Sequence, residues 1–394
     1  MTEKKKWLKT TCENLLKSNI IPFWTTQMID QKNGGFYGRI DGRNRVHETA
    51  PKGIILNSRI LWTFSAIYRY NGDDSCAKIA HLAYEYIKQK FIDEMHGGVY
   101  WMLDEKGNIL ESKKQVYAQA FTIYACAEYH AAFGNIEALD LAKDLYAITE
   151  KYSFDSDQNG YLEAFDQEWN LLDDLRLSDK DANEAKTMNT HLHVLEAYTN
   201  LYRYWRDAGL KKQLKNLVEL FLEKFVDESG HFHLFFDENW MLKSEEFSYG
   251  HDIEGGWLLH EAAEVLEDEH LIEKTKKAAL MMTEAALEGM DDDGGLMNDG
   301  SKSGVEDTDK HWWPQAEALV GLTNSYQISG DQKYLFLAEK NMNFILSNII
   351  DESGEWHWMV DKNGITNYDE DKAGPWKCPY HNGRAMLELI ERLK

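Results

Sequence analysis

NGGFYGRIDG, residues Asn33–Gly42, is a short phrase in which glycine is followed by aromatic or apolar residues and then by an acidic turn. It returns as HGGVYWMLDEKGN at His96–Asn108, NGYLEAFDQEW at Asn159–Trp169, GHFHLFFDENW at Gly230–Trp240, DGGLMNDG at Asp293–Gly300 and GEWHWMVDKNG at Gly354–Gly364. Its glycines at 35, 98, 160, 230, 295 and 354 are 63, 62, 70, 65 and 59 residues apart. Self-similarity at a near-fixed period marks a repeat architecture, and missing it mis-assigns the fold. Within each phrase the residues alternate, which predicts a short β-hairpin.

Between the phrases, apolar residues fall every three or four positions, the spacing of amphipathic helices. Paired helical runs are expected at 54–70 with 76–91, 116–133 with 137–152, 186–205 with 214–225, 255–266 with 271–287, and 315–328 with 332–349. Asn71-Gly72 and Gly134-Asn135 supply stops. The last run, 382–393, has a partner only in 6–24 at the other terminus. An open stack of helix pairs needs polar caps at both ends, whereas a closed ring needs none. The first run of each pair is richer in small and apolar residues, as burial on both sides requires. The expectation is therefore an all-α, closed (α/α)6 barrel of six helix pairs with short β-hairpins at one end; the alternative is an open helical solenoid. Residues 1–394 are read as one barrel-shaped catalytic domain, because each unit needs its neighbours to bury its face, although length alone allows two or three domains.

Only five prolines and no low-complexity tract interrupt the chain. The net charge of −24 disfavours nucleic acid and anionic membranes as partners, and solubility alone accounts for it. Cys12, Cys76, Cys126 and Cys378 show no CxxC spacing, which suggests reduced thiols in a cytoplasmic protein. MTEKKKWLKTTCENLL lacks the apolar core of a signal peptide, and no run reaches the length of a membrane span. A monomer or weak homo-oligomer is expected. Thirteen Trp and twenty Tyr are more telling, since aromatic faces stack on sugar rings. Most of them are expected in core or hairpin packing; Trp312-Trp313, side by side at a helix start, are less easily placed there.

Polar and aromatic residues recur at the start of each inner helix: Asn57-Ser58-Arg59, Tyr117-Ala118-Gln119, Met188–His193, Tyr249–Trp257, His311–Glu317 and Gly374–Arg384. In a ring, one phase of the repeat means one end, so these residues are expected to converge on a single mouth. Asn189/His193 and Trp313/Glu317 are spaced i,i+4, while His251/Glu254 and His381/Arg384 are i,i+3, so each pair shares a helix face. Trp257, three residues after Glu254, lies on nearly the same face. Pro314 fits only a first helical turn, which puts Trp313 at the mouth. His191 lies two residues from both Asn189 and His193, points away, and is read as a structural histidine.

Three inward histidines suit a metal, but the H-x-H pair diverges on a helix and no HExxH spacing occurs. No metal and no cofactor are expected. Glu254 and Glu317 are candidates for the two carboxylates of a glycosidase, yet each shares a face with a His or Trp, which suits orienting an imidazole or hydroxyl. There is no nucleophile elbow, phosphate loop or dinucleotide fingerprint. Several histidines without a nucleophile or cofactor suggest proton transfer alone, which on a sugar means isomerisation or epimerisation beside a carbonyl.

MNTHLHVLEAYTNLYR (188–203), YGHDIEGGWLL (249–259), HWWPQAEALVG (311–321) and GPWKCPYHNGRAMLE (374–388) resemble the signatures of the cellobiose 2-epimerases, within the N-acylglucosamine 2-epimerase superfamily. The likeness runs from KGIILNSRILWTFSA at 52–66 to the C-terminus. It implies an (α/α)6 barrel and cofactor-free interconversion of glucose and mannose at the reducing end of a β-1,4-linked disaccharide such as cellobiose, lactose or mannobiose. By motif, it implies that His251 and His381 exchange the C2 proton through an enediolate, and that His193 helps ring opening and polarises the carbonyl. Arg59 and Asn189 then bind O1 and O2 and stabilise the enediolate. Tyr117, Glu254 and Glu317 hold hydroxyls or orient imidazoles. Trp312, Trp313 and Trp376 stack on the sugar, and Trp257 and Arg384 complete the set of expected substrate contacts. The alternatives are an N-acylglucosamine 2-epimerase, a mannose-type aldose–ketose isomerase, an (α/α)6 glycoside hydrolase, or a carbohydrate-binding protein without turnover. The extra aromatic wall of HWW and GPWKCPY favours a disaccharide over a single ring.

Overall fold

In a computed structural model describing residues 2–178 and 181–394, every glycine phrase lies in a tight antiparallel hairpin. The hairpins are closed by the bridges Ile29–Phe36, Ile92–Val99, Phe154–Tyr161, Val226–Phe232, Met290–Leu296 and Ile350–Trp356. The helices between them are α1 (Glu3–Leu15), α2 (Ile21–Thr26), α3 (Ile54–Asn71), α4 (Asp74–Tyr86), α5 (Val116–Phe133), α6 (Ile136–Tyr152), α7 (Met188–Tyr204), α8 (Ala208–Leu220), α9 (Tyr249–Leu266), α10 (Glu269–Ala286), α11 (Trp312–Ser329), α12 (Gln332–Phe344) and α13 (Tyr380–Arg392).

Helix α3 packs on α5, α5 on α7, α7 on α9, α9 on α11, α11 on α13, and α13 back on α3. This inner ring is closed, and α4, α6, α8, α10, α12 and α1 pack around it. The hairpins close a second ring. The strand before each inner helix pairs with the hairpin of the next repeat, as in Lys114–Phe165 and Lys310–Val360, and Ala373, in the strand before α13, pairs with Ile40 of the first hairpin. The architecture is thus the (α/α)6 barrel read from the repeat.

Local chemistry explains the two helix sets. Outer helices begin on carboxylate or amide caps, Asp73, Asn135, Asp207, Asp268 and Asp331, whose side chains accept first-turn N–H groups. Among the inner helices only α7 has such a side-chain cap, Thr187. The others are tied by the neighbouring hairpin, as where Trp312 N–H donates to the Trp358 carbonyl (2.9 Å). Gly72 and Gly134, at φ 69° and 66°, end α3 and α5 in a left-handed turn that costs other residues more.

Some expected boundaries move. Helix α9 starts at Tyr249 rather than 255, and Gly255 within it serves close packing, since a Cβ there would lie 2.1 Å from the Phe232 ring. Helix α8 starts at Ala208 rather than 214, on the Asp207 cap. The N-terminal run is α1, a wider π-type turn at Leu16–Ile20, and α2.

Two side-chain devices tie hairpins to inner helices. The fourth residue of α5, α7, α9 and α11 grips a hairpin backbone directly. Gln119 accepts Val99 N–H (2.8 Å) and Gln315 accepts Leu296 N–H (2.7 Å). His191 Nε2 accepts Tyr161 N–H (2.8 Å), and Asp252 accepts Phe232 N–H (2.7 Å). In addition, a buried lysine before the inner helix pairs with a hairpin aspartate: Lys52–Asp30 (2.7 Å), Lys114–Asp93 (2.8 Å), Lys186–Asp155 (2.8 Å), Lys310–Asp291 (2.8 Å) and Lys372–Asp351. In the fourth repeat Phe247 stands there and stacks on His231, ring centroids 3.6 Å apart, while His231 Nδ1 bonds Asp252 (2.7 Å). Cys12, Cys76, Cys126 and Cys378 are buried and unpaired.

Candidate active site

Tyr117, Asn189, His251 and Trp313, one or two positions before the hairpin grips, face the barrel axis, as do His193 and Glu254, two positions after them. They enclose an inner cavity of about 180 Å³ lined by Arg59, Tyr117, Asn189, His193, His251, Glu254, Trp312, Trp313, Trp376 and His381, together with His311 and Trp358. At Asn189, His251, His311 and Trp313 it opens into an outer chamber of about 580 Å³. The chamber alone falls within the range of small-molecule sites, roughly 300–1,000 Å³.

Ten of the thirteen expected residues therefore meet in one wall. The other three lie behind it, where Glu317 orients an imidazole, one of the two roles expected of it, and Trp257 and Arg384 do not line the cavity. Trp257 is buried and donates its indole N–H to Glu317 (3.1 Å). Glu317 in turn accepts from His381 Nδ1 (2.7 Å) and Arg384 Nη2 (2.7 Å). Arg384 also donates to Glu254 (2.6 Å), to Glu196 and to the Tyr380 hydroxyl. Each is set one helical turn deeper than the wall residue it was paired with, so same-face spacing was right and depth was not. His191 points away from the axis, as its spacing predicts.

Glu196 and Tyr380 did not emerge from the sequence reading. Glu196 Oε2 accepts from His193 Nδ1 (2.9 Å), and its other oxygen takes bonds from Tyr380 and Arg384. The available signal was the His193-x-x-Glu196 spacing. Trp358 was also missed as a wall residue, and His311, expected at the mouth, was given no role there.

The three histidines differ in what stands behind them. His193 is backed by Glu196 and His381 by Glu317, while His251 Nδ1 is buried with no protein partner. His251 and His381 both touch the Trp313 ring, centroids 4.6 and 5.7 Å away. Burial, and then the charge of His193, pushes His251 down to about 3. Burial and then Arg59 and Arg384 hold His381 well below the usual histidine range, and burial lowers His193. All three are neutral bases at neutral pH. Burial, then repulsion from Glu317, pushes Glu254 up to about 8. The proton of that carboxylate pair resides on Glu254, since Glu317 accepts three donors and Glu254 only Arg384. Burial alone would raise Glu196, but Arg384 and the His193 bond outweigh it and hold Glu196 at about 2.

Five buried polar atoms of the wall residues lack a hydrogen-bond partner: Arg59 Nε, Asn189 Oδ1, His251 Nδ1, Glu254 Oε2 and Trp312 Nε1. Native interiors rarely leave such groups unsatisfied, and each costs about 1–3 kcal/mol. Clustered on one cavity, they suit a ligand rich in hydroxyls. Glu254, Glu317 and His381 bring ligand atoms within 4.8 Å of one another, as a metal would need. There the Arg384 guanidinium already supplies positive charge to both carboxylates. Asp307, Asp309 and His311 form a second, half-buried grouping at the chamber rim.

The sequence model of the family described as N-acylglucosamine 2-epimerase (GlcNAc 2-epimerase) matches residues 35–385. The chain belongs to this family. A cellobiose 2-epimerase from Bacteroides fragilis is 48% identical over 386 residues, covering 97% of this chain and 98% of that protein. Another from Dictyoglomus turgidum is 38% identical, covering 98% and 99%. The solved cellobiose 2-epimerase of Bacillus thermoamylovorans superposes with a TM-score of 0.92 at 40% identity, covering 98% of this chain and all of that one. The family member described here is accordingly a carbohydrate isomerase of the epimerase type. Among its described residues no helix is long and apolar enough to cross a membrane.

Proposed function

We propose that the enzyme epimerises C2 of the reducing-end glucose of β-1,4-linked disaccharides, converting cellobiose to glucosyl-mannose and lactose to epilactose, and acting on mannobiose, without a cofactor. The observation that carries this reading is the pair His251 and His381, two neutral imidazoles against the same indole, in a cavity ringed by unsatisfied polar atoms. The inner cavity takes the reducing sugar, and the connected chamber has room for the second ring, which favours a disaccharide over a monosaccharide. His193 assists ring opening and polarises the carbonyl. One of His251 and His381 then takes the C2 proton while the carbonyl electrons move onto O1, giving an enediolate. The other returns a proton on the opposite face. Delivery at C1 instead gives the ketose.

Arg59 and Asn189 hold O1 and O2 and offset the enediolate charge. Tyr117 and Glu254 contact hydroxyls, and Trp312, Trp313 and Trp376 stack on the rings. Glu317, Trp257 and Arg384 act from behind. We expect one catalytic barrel domain over 1–394, working as a monomer or weak homo-oligomer in the cytoplasm. The test is NMR of cellobiose with enzyme in D2O. Deuterium at C2 of a glucosyl-mannose product, with the glycosidic bond intact, is the expected result. Product without C2 deuterium overturns the mechanism, and free glucose moves the assignment to hydrolysis.

A further inference from the structure

The mechanism just proposed gives no part to Glu196, a buried carboxylate directly behind His193. Glu196 lies on α7, one turn below His193, and is 2% exposed. It does not line the cavity. One oxygen meets His193 Nδ1 at 2.9 Å, and the other is held by Arg384 and by the Tyr380 hydroxyl. The His193 ring is fixed from its sides as well: Tyr117 meets it edge-on at 5.0 Å and Phe121 at 4.7 Å between centroids. With Nδ1 engaged, Nε2 is the ring nitrogen left for the cavity.

Donors set the tautomer. Two donors, one of them a guanidinium, converge on Glu196, so it is an ionised acceptor. It therefore takes Nδ1–H, and Nε2 of the neutral imidazole carries a lone pair rather than a proton. The same carboxylate stabilises the imidazolium that forms when Nε2 takes up a proton. His251 has no such backing, and the carboxylate behind His381 is a different one, Glu317.

We propose that Glu196 is the positioning residue of ring opening: it presents the Nε2 lone pair of His193 to the anomeric hydroxyl of the bound sugar. In that step the O1–H proton passes to Nε2 and C1–O1 becomes the carbonyl. The C1–O5 bond breaks with its electron pair on O5, which takes a proton from water and leaves hydroxide to the solvent. Imidazolium His193 then donates to the carbonyl oxygen, the polarising role. This inference rests on the proposed epimerase chemistry.

The test is the rate with [2-²H]cellobiose against unlabelled cellobiose, in the parent and in Glu196→Gln. Slowed ring opening makes that step rate-limiting and hides the C2 isotope effect. Expected is a loss in kcat on the order of 10²-fold, the lower end of what a positioned acid or base supplies, with the isotope effect on kcat falling toward unity. A purely structural role lowers the rate with the isotope effect unchanged, and that result overturns the proposal, as does a kcat within about threefold of the parent. Should the amide fail to fold beside Arg384, Glu196→Asp keeps the charge but shortens the reach to His193, and the same collapse of the isotope effect decides. A parent that shows no epimerisation of cellobiose defeats the functional reading instead, so the two failures are distinct.

Discussion

His191 and His193 are two residues apart on α7, both buried, and they face opposite sides of the barrel wall. His191 turns outward and holds the Tyr161 backbone, while His193 turns inward onto the cavity. The same contrast runs round the ring. In the outward-facing layer one task recurs: Gln119, His191, Asp252 and Gln315 each accept a hairpin N–H, and five buried lysines each clamp a hairpin aspartate. In the inward layer the side chains vary: two residues after those grips stand Phe121, His193, Glu254 and Glu317. Repetition builds the barrel, and departure from it builds the chemistry.

The inward layer gives the largest expected effect. His251→Ala and His381→Ala are each expected to lower turnover of cellobiose by at least 10²–10⁴-fold, the share of a positioned acid or base. Neither closes a hairpin, so the melting temperature is expected to move little. A folded His251→Ala enzyme with near-parental kcat breaks the division between layers.

The outward layer is expected to show the converse. Lys114→Met strands Asp93 in a buried setting, and breaking such a pair costs about 3–5 kcal/mol. Denaturant unfolding is expected to show that loss, while kcat of the folded fraction stays within a few-fold of the parent. A large fall in kcat at unchanged stability would place the clamp in the chemistry instead.

The pH profile sharpens the inward layer further. His251 at about 3 and His381 well below its usual range stay neutral through pH 6.5, so kcat/KM is expected to run flat across that pH on the acid side. Glu254 is expected to lose its proton near pH 8, taking a donor from the cavity, and kcat/KM is expected to decline there. Glu254→Gln, a neutral donor at every pH, is expected to remove that alkaline limb. An acid limb at 6.5, or an unchanged alkaline limb in Glu254→Gln, contradicts these assignments.

How much of this was legible in sequence follows the same division. The glycine phrases and helical runs repeat, so period, ring and mouth could be read. Spacing of i,i+3 or i,i+4 placed Asn189, His193, His251, Glu254, Trp313 and His381, while Arg59, Tyr117, Trp312 and Trp376 came from the phase of the repeat and the family resemblance. Spacing along one helix gives a face but not a depth, so Trp257, Glu317 and Arg384 were placed on the wall although they stand behind it. Partners on distant repeats leave no local signal: Tyr380 reaches Glu196 across 184 residues. The Lys–Asp clamps join residues 19 to 31 positions apart, and singly each lysine reads as an ordinary surface charge. The start of α9 at Tyr249 includes Gly250 and Gly255, whose missing Cβ makes room for Trp313 and Phe232, packing partners in space that local periodicity does not show.

The smallest expected effect tests whether His191 is a grip that merely happens to be a histidine. At the equivalent places α5 and α11 use Gln119 and Gln315, whose Oε1 accepts the hairpin N–H as His191 Nε2 does. His191→Gln is therefore expected to keep the bond and stay within about 1 kcal/mol of the parent at pH 7, whereas His191→Ala leaves Tyr161 N–H unpaired at a cost of about 1–3 kcal/mol. The two differ again in acid. Burial pushes His191 down to about 3, while in the unfolded chain it titrates near 6.5. Between those values the unfolded state binds the extra proton, so this residue's share of stability is intact above pH 6.5 and is lost as pH falls toward 3. At pH 5 the loss amounts to about 2 kcal/mol, at 1.36 kcal/mol per unit. Glutamine does not titrate, so unfolding curves at pH 7 and pH 5 are expected to show His191→Gln losing less stability than the parent by about that amount. Equal acid sensitivity in the two proteins would mean that His191 is not the neutral acceptor its bond to Tyr161 requires.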